Sequence, residues 1–275
     1  MSNGTEKMEE KIKEKRNVAP QVFVDCILLL ICGGIVPIVW HCTTPTRQGF
    51  FCDDENIMYP EKENTITNAI LWSFCTLVPL GIICLTEVVR KFTVMEIEVN
   101  EIYFFRWKVP HMIQEIYSFG GVLFIGLLMS ELSNDFIKSF IGRPRPNFLA
   151  LCKPDFNCSS VANPHYYVTE YKCTNPNLLD EKYFRESFPS GHAALTTYSM
   201  FYIVFYLHKK VTFTRYSVLA KPLILWMLLM PTGYITLTRL ADHMHHWDDI
   251  LAGFFLGFFI CVALIFTMTD LYKNK

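Results

Sequence analysis

The sequence predicts an all-α fold, a bundle of six transmembrane helices. Three observations carry this. Of 275 residues, 51% are hydrophobic and only 19% are charged, with a formal net charge of -1. The apolar residues fall in blocks of roughly 20, the length that crosses roughly 30 Å of hydrocarbon. Those blocks also lack the polar faces that six buried helices of a water-soluble domain would need. The near-neutral balance gives no reason to expect a nucleic-acid partner.

The chain opens on a polar tail, residues 1–18, with Lys7, Lys11, Lys13, Lys15 and Arg16. Gln21 to Trp40 is the first predicted span. It begins after a polar stretch, exceeds a signal-peptide core and lacks the usual small-residue cleavage site, so it reads as retained. Asp25 near its start suits the bundle or the interface, and no chemistry is assigned to it. The next connection contains CDDENIMYPEKE, which is acidic on balance. Ile66 to Val89 is the second span, followed by Arg90, Lys91, Arg106 and Lys108. Ile113 to Leu132 is the third. The longest connection, Ser133 to Pro189, leads to a shorter fourth span, Ala193 to Leu207, extended by Gly191 and His192. Lys209, Lys210 and Arg215 come next, then the fifth span, Val218 to Leu237. The sixth is Ile250 to Met268, before a tail with Lys273 and Lys275.

Basic flanks stay in the cytosol. Alternation through six spans then satisfies every flank at once: both termini inside, and the first, third and fifth connections outside or in a lumen. One membrane domain, residues 19–269, is expected between cytosolic tails 1–18 and 270–275.

Of ten cysteines, Cys26, Cys32, Cys75, Cys84 and Cys261 fall within spans as small packing residues. Cys42, Cys52, Cys152, Cys158 and Cys173 fall outside, where disulfides form. Cys152 suits either Cys158 or Cys173, an odd count leaves at least one unpaired, and connectivity is not readable from sequence. Asn157-Cys158-Ser159 is a glycosylation acceptor triplet in the longest external connection, whereas Asn3-Gly4-Thr5 lies on a cytosolic tail and is expected to stay unmodified.

Three polar clusters share the outer face. Lys138 and Arg145 flank the end of the third span; the prolines at 144 and 146 end the helix near Gly142 or Arg143 and put Arg145 on an extended segment. An ammonium and a guanidinium suit phosphate oxygens. Pro189-Ser190-Gly191-His192 opens the fourth span, where free N–H groups attract anions, Gly191 lets a ligand approach and Ser190 caps or donates. TRLADHMHHWDDI, residues 238–250, supplies Arg239 and a His245–Asp249 pair at helical spacing, in which the carboxylate would hold the imidazole. His246 points elsewhere, Asp248 suits a helix start, and His243 lies in the preceding turn. The histidines and aspartates have metal-ligand chemistry, but their spacing is not the helical pattern of two histidines four apart around a glutamate. Three cations beside a metal would also repel it. The set fits phosphoryl transfer without metal or other cofactor.

At these residues the chain resembles the lipid phosphate phosphatases (phospholipid phosphatases) of the type 2 phosphatidic acid phosphatase superfamily. Lysine, six residues, Arg-Pro matches Lys138 to Pro146. Pro-Ser-Gly-His is unchanged at Pro189 to His192. Ser-Arg, five residues, His, three residues, Asp matches Thr238-Arg239, His245 and Asp249, with Thr238 in place of serine; Pro144 stands where an apolar residue is common. The resemblance implies a phosphohistidine on His245, oriented by Asp249, and His192 as acid and then base. Lys138, Arg145, Ser190, Gly191 and Arg239 would cradle the phosphate. It implies a metal-independent enzyme in the plasma membrane, or an internal one, acting on phosphatidic acid, lysophosphatidic acid, ceramide 1-phosphate and sphingosine 1-phosphate. Partners would be these substrates and membrane lipids, with homo-oligomerisation left open. The alternatives are a sphingosine-phosphate-specific, sugar-phosphate or diphosphate phosphatase. A transporter fits less well, because few ionisable residues lie deep in the spans.

Overall fold

The structure, a computed structural model, describes residues 15–93, 101–163, 165–176, 180–211, 217–269 and 271–272. Lys7, Lys11, Lys13, Arg215, Lys273, Lys275 and the Asn3 triplet lie outside the described residues.

Chain order is β1 (Lys15–Asn17), α1 (Ala19–Cys42), β2 (Phe50–Phe51), α2 (Asn68–Thr93), β3 (Glu101–Phe104), β4 (Trp107–Lys108), α3 (His111–Ile141), α4 (Phe148–Cys152), β5 (Tyr167–Val168), α5 (Lys182–Arg185), α6 (Gly191–Lys210), α7 (Ala220–Ala241) and α8 (Trp247–Met268). The fold is mostly helical rather than purely so. β1 pairs parallel with β3, and β4 antiparallel with β3, where α1 begins. β2 pairs antiparallel with β5 near the opposite end.

Five helices, α1, α2, α3, α7 and α8, are long and apolar enough to cross a membrane. α6, the fourth of the six expected spans, is not among them. Its 20 residues are long enough, at 1.5 Å each, but Thr196, Thr197, Tyr198, Ser199, Tyr202 and Tyr206 lower its hydropathy. The physical reason is position. α6 packs against α2, α3, α7 and α8, so it faces protein on nearly every side. Most of its polar groups find partners there, Thr197 Oγ1 excepted: Tyr198 and Tyr202 donate to the carbonyls of Val122 and Phe119 (2.7 Å each), and Ser199 to that of Cys75 (2.9 Å). A buried hydroxyl left unpaired would cost about 1–3 kcal/mol. By contrast, Leu30 and Phe23 of α1 are 75% and 68% exposed, as lipid-facing side chains are in the absence of lipid.

α3 runs nine residues beyond Leu132, where its apolar block ends, and so carries Lys138 on its last turn. Gly142 then adopts a left-handed φ of 65°, and a Cβ there would meet the Thr46 carbonyl oxygen at 1.9 Å. Only glycine ends the helix in this way.

The long connection between α3 and α6 is a small folded unit, not a loose loop. Phe148, Leu151, Val168 and Phe184 form its core together with Phe50 and Ile57 of the connection between α1 and α2. Disulfides Cys52–Cys158 and Cys152–Cys173 staple it, and Cys42 stays free. The first of these ties it to the connection between α1 and α2. The backbone N–H of Tyr59 on that connection also donates to Pro146 (3.0 Å).

Candidate active site

Lys138 and the α6 N-terminus meet through Asn134 of α3. The Asn134 amide oxygen accepts from Lys138 Nζ, and its nitrogen donates to the Pro189 carbonyl, both at 3.2 Å. A Cβ on Gly191 would lie 2.8 Å from the Asn134 side-chain amide and 3.6 Å from Lys138 Nζ. Glycine therefore keeps the helix start open to Lys138. Ser190 is the N-cap of α6, its Oγ accepting from the Ala193 N–H at 3.5 Å. The first N–H groups of a helix lack intrahelical partners and suit an anion.

Arg145 follows the helix end. Its N–H donates to the Phe184 carbonyl (2.9 Å), and its guanidinium lies 5.0 Å from the Tyr183 ring centre. Nη1 is 3.2 Å from Met244 Sδ, and the buried Nε has no partner. Among the described residues no carboxylate lies within 4 Å of this half-buried guanidinium, although Glu186 and Asp249 lie near enough to favour its charge. Arg239, on the last turn of α7, is 2% exposed and pairs with Asp242 at 2.6 Å. Thr238 Oγ1 donates to the Ile235 carbonyl (2.7 Å) and lies 3.4 Å from Arg239 Nε.

His245 sits just before α8, whose N-cap is His246. It is therefore not one helical turn from Asp249, as the spacing suggested. Its Nδ1 lies 2.6 Å from the Ser187 carbonyl oxygen, and 3.9 Å from the nearest Asp249 oxygen. A carbonyl only accepts, so Nδ1 carries the proton and Nε2 keeps its lone pair. Burial, with the Arg145 and Lys138 cations, holds the His245 pKa well below the ordinary histidine range. Asp249 instead accepts from Ser187 Oγ (2.5 Å), from the His246 N–H and Nδ1 (2.8 and 3.1 Å), and from Arg143 (2.6 Å). It braces the segments that hold His245. His192 Nε2 lies 3.1 Å from the Ile66 carbonyl. His243, with φ 58°, turns away to the Pro60 carbonyl (3.0 Å).

A cavity of about 690 Å³ is lined by Lys138, Arg145, Gly191, His192, Arg239 and His245, with apolar walls that include Leu71, Trp72 and Leu195. Residues over 100 positions apart thus converge on one space. Ser190 and Asp249 lie behind its lining. Ligand atoms of His246, Asp248 and Asp249 come within 4.8 Å of one another, as metal ligands would. Arg143 Nη1 is 2.6 Å from both carboxylates, so a guanidinium already supplies the positive charge there.

Sequence reasoning missed Asn134, Ser187 and Asp242. Asn134 and Asp242 carried a signal, being polar residues on the same helix face as Lys138 or one turn from Arg239. Ser187 acts partly through its backbone carbonyl, which no residue pattern reveals.

Fold and cavity together define a multi-pass helical protein with a polar, charged site at one end of the bundle, beside an apolar wall. Residues 119–273 match the family model described as the PAP2 superfamily, a stretch that takes in all three clusters. Phospholipid phosphatase 1 of Rattus norvegicus is 31% identical over 258 residues, covering 93% of this chain and 87% of the relative. Phospholipid phosphatase 2 of Homo sapiens is 28% identical over 254 residues, covering 92% and 84%. No solved structure matches the chain significantly. The chain belongs to the PAP2 superfamily.

Proposed function

We propose that this protein is a membrane lipid phosphate phosphatase that works through a phosphohistidine and without a metal. The observation that carries the reading is the meeting of Lys138, Arg145 and Arg239 with His192 and His245 in one cavity with an apolar wall. Family membership and the similarity to two phospholipid phosphatases support it. Lys138, Arg145, Arg239 and the α6 N–H groups at Gly191 hold the phosphate oxygens, with Ser190 fixing that helix start. His245 Nε2 attacks phosphorus, and the bond to the lipid oxygen breaks. His192 gives a proton to the departing alkoxide, then takes one from water as the water displaces His245. Nε2–H of His192 donates to the Ile66 carbonyl, so Nδ1 is the nitrogen that exchanges the proton; burial and the Arg239 cation lower the His192 pKa to about 3, so Nδ1 takes the proton from the bound phosphate monoanion and passes it to the departing alkoxide. Asp249 acts at one remove, holding Ser187 and the start of α8.

All six long helices span the membrane in this reading. α6 crosses inside the bundle, sheltered from lipid, so its polar side chains do not oppose insertion. Residues 19–269 form the membrane unit. The basic flanks put the cavity outside the cell or in a lumen, with the plasma membrane favoured. The substrates are phosphatidic acid, lysophosphatidic acid, ceramide 1-phosphate and sphingosine 1-phosphate.

The test is phosphate release by purified protein from these four lipids in excess EDTA. Undiminished turnover is expected, since the cations are built in. Loss of activity on chelation, restored by one divalent ion, would contradict the metal-free mechanism.

A further inference from the structure

We propose that Asp242 is a positioning residue for Arg239, and that through it residues 58–67 of the first connection become a wall of the site; this rests on the phosphatase reading above. Asp242 follows α7 directly and is 5% exposed. One of its oxygens, Oδ2, accepts from Arg239 Nη2 at 2.6 Å and from the Thr65 N–H at 2.8 Å. The other, Oδ1, accepts from the Thr65 hydroxyl at 2.8 Å. One carboxylate therefore joins a cation of the phosphate cradle to a segment 177 residues away in the chain.

The neighbours of Thr65 extend the contact. Asn64 Oδ1 accepts from Arg239 Nη1 at 3.1 Å, so the guanidinium is gripped at both ends. The Ile66 carbonyl lies 3.1 Å from His192 Nε2. Further back, Lys62 Nζ donates to the Ala241 carbonyl at 2.9 Å. Glu61, Asn64, Ile66 and Thr67 all line the cavity. Two consecutive polar anchors thus fix the arginine, and the next carbonyl fixes the histidine. A shift of the segment would move both groups, and a guanidinium fork binds phosphate well only in a fixed geometry.

Asp242 can affect phosphate in two opposed ways. Its charge weakens the local positive potential, whereas its grip holds Arg239 in place. The proposal is that the grip dominates.

The experiment uses the full chain purified in detergent, with inorganic orthovanadate as a phosphate-shaped probe and calorimetric titration as the readout. Asp242→Asn, which keeps the volume and loses the charge, is expected to weaken vanadate binding about tenfold; Arg239→Ala is expected to weaken it about 100-fold, and the double variant no further than Arg239→Ala alone. A purely structural role would give losses that add. Additive losses, or tighter binding by Asp242→Asn, would overturn the proposal. Should Asp242→Asn fail to fold, Thr65→Val and Asn64→Ala replace it in the same cycle. Each should weaken binding about threefold alone and not at all beside Arg239→Ala. Vanadate binding with this coupling, but no hydrolysis of any lipid phosphate by the wild type, would sink the phosphatase reading and leave this one standing.

Discussion

The Nδ1 proton of His245 is committed to the Ser187 carbonyl at 2.6 Å, which fixes the tautomer that the proposed attack through Nε2 needs. Burial and the nearby Arg145 and Lys138 cations keep the ring neutral well below the ordinary histidine range. Removing one of those cations raises the His245 pKa. Lys138→Ala should therefore move the acid limb of kcat/KM to higher pH, and an unmoved limb would detach Lys138 from His245. The two histidines are separable by leaving group. His245→Ala and His192→Ala should each lower lipid phosphate turnover at least about 100-fold. p-Nitrophenyl phosphate, whose leaving group needs little protonation, should rescue His192→Ala much more than His245→Ala. Equal rescue would reverse or merge the roles. The spacing of His245 and Asp249 made both legible as candidates. Their linkage was not, because the hydrogen-bond partner of His245 is a backbone carbonyl 58 residues upstream.

Helix α6 carries Gly191 and His192 in its first turn and is held against α8 by two backbone contacts without side chains between. A Cβ on Gly253 would lie 2.3 Å from the Ser190 carbonyl oxygen, and one on Gly257 would lie 2.1 Å from that of Ala194. Gly253→Ala must push the helices apart beneath Ser190 and His192. It should cost about 1–3 kcal/mol, as overpacking does, and lower turnover as well. Gly121→Ala is the control: nothing lies within 4 Å of its added methyl, and alanine favours a helix over glycine by up to about 1 kcal/mol. Thermal unfolding in detergent, with turnover alongside, distinguishes the two. A Gly253→Ala protein as stable as wild type would contradict the close packing. The helix itself was legible from its length and its Ser190 cap. Its central place was not, since a helix surrounded by protein tolerates the same Thr and Tyr residues that an interfacial one does. The end of α3 was legible for a local reason, Gly142 followed by two prolines.

The connections that close the site share one end of the bundle, as basic flanks alone had suggested for the first, third and fifth. Cys52–Cys158 joins the first to the third, and Thr65 and Asp242 join the first to the fifth. Cys152 does pair with Cys173, but the choice over Cys158 could not be read, because it depends on how two distant connections fold together. Asn157 is exposed on this same end. If that face is lumenal during synthesis, Asn157 should carry a glycan, and glycosidase treatment and Asn157→Gln should increase gel mobility equally. Unchanged mobility in both would leave the acceptor unused. In the proposed mechanism this arrangement serves one event, the transfer of a phosphoryl group to His245. The most direct test is rapid-quench trapping with a radiolabelled lipid phosphate in excess EDTA. A phosphohistidine should accumulate on wild type and vanish in His245→Ala. Label retained in His245→Ala, or no phosphoenzyme in any form of the protein, would contradict His245 as the nucleophile.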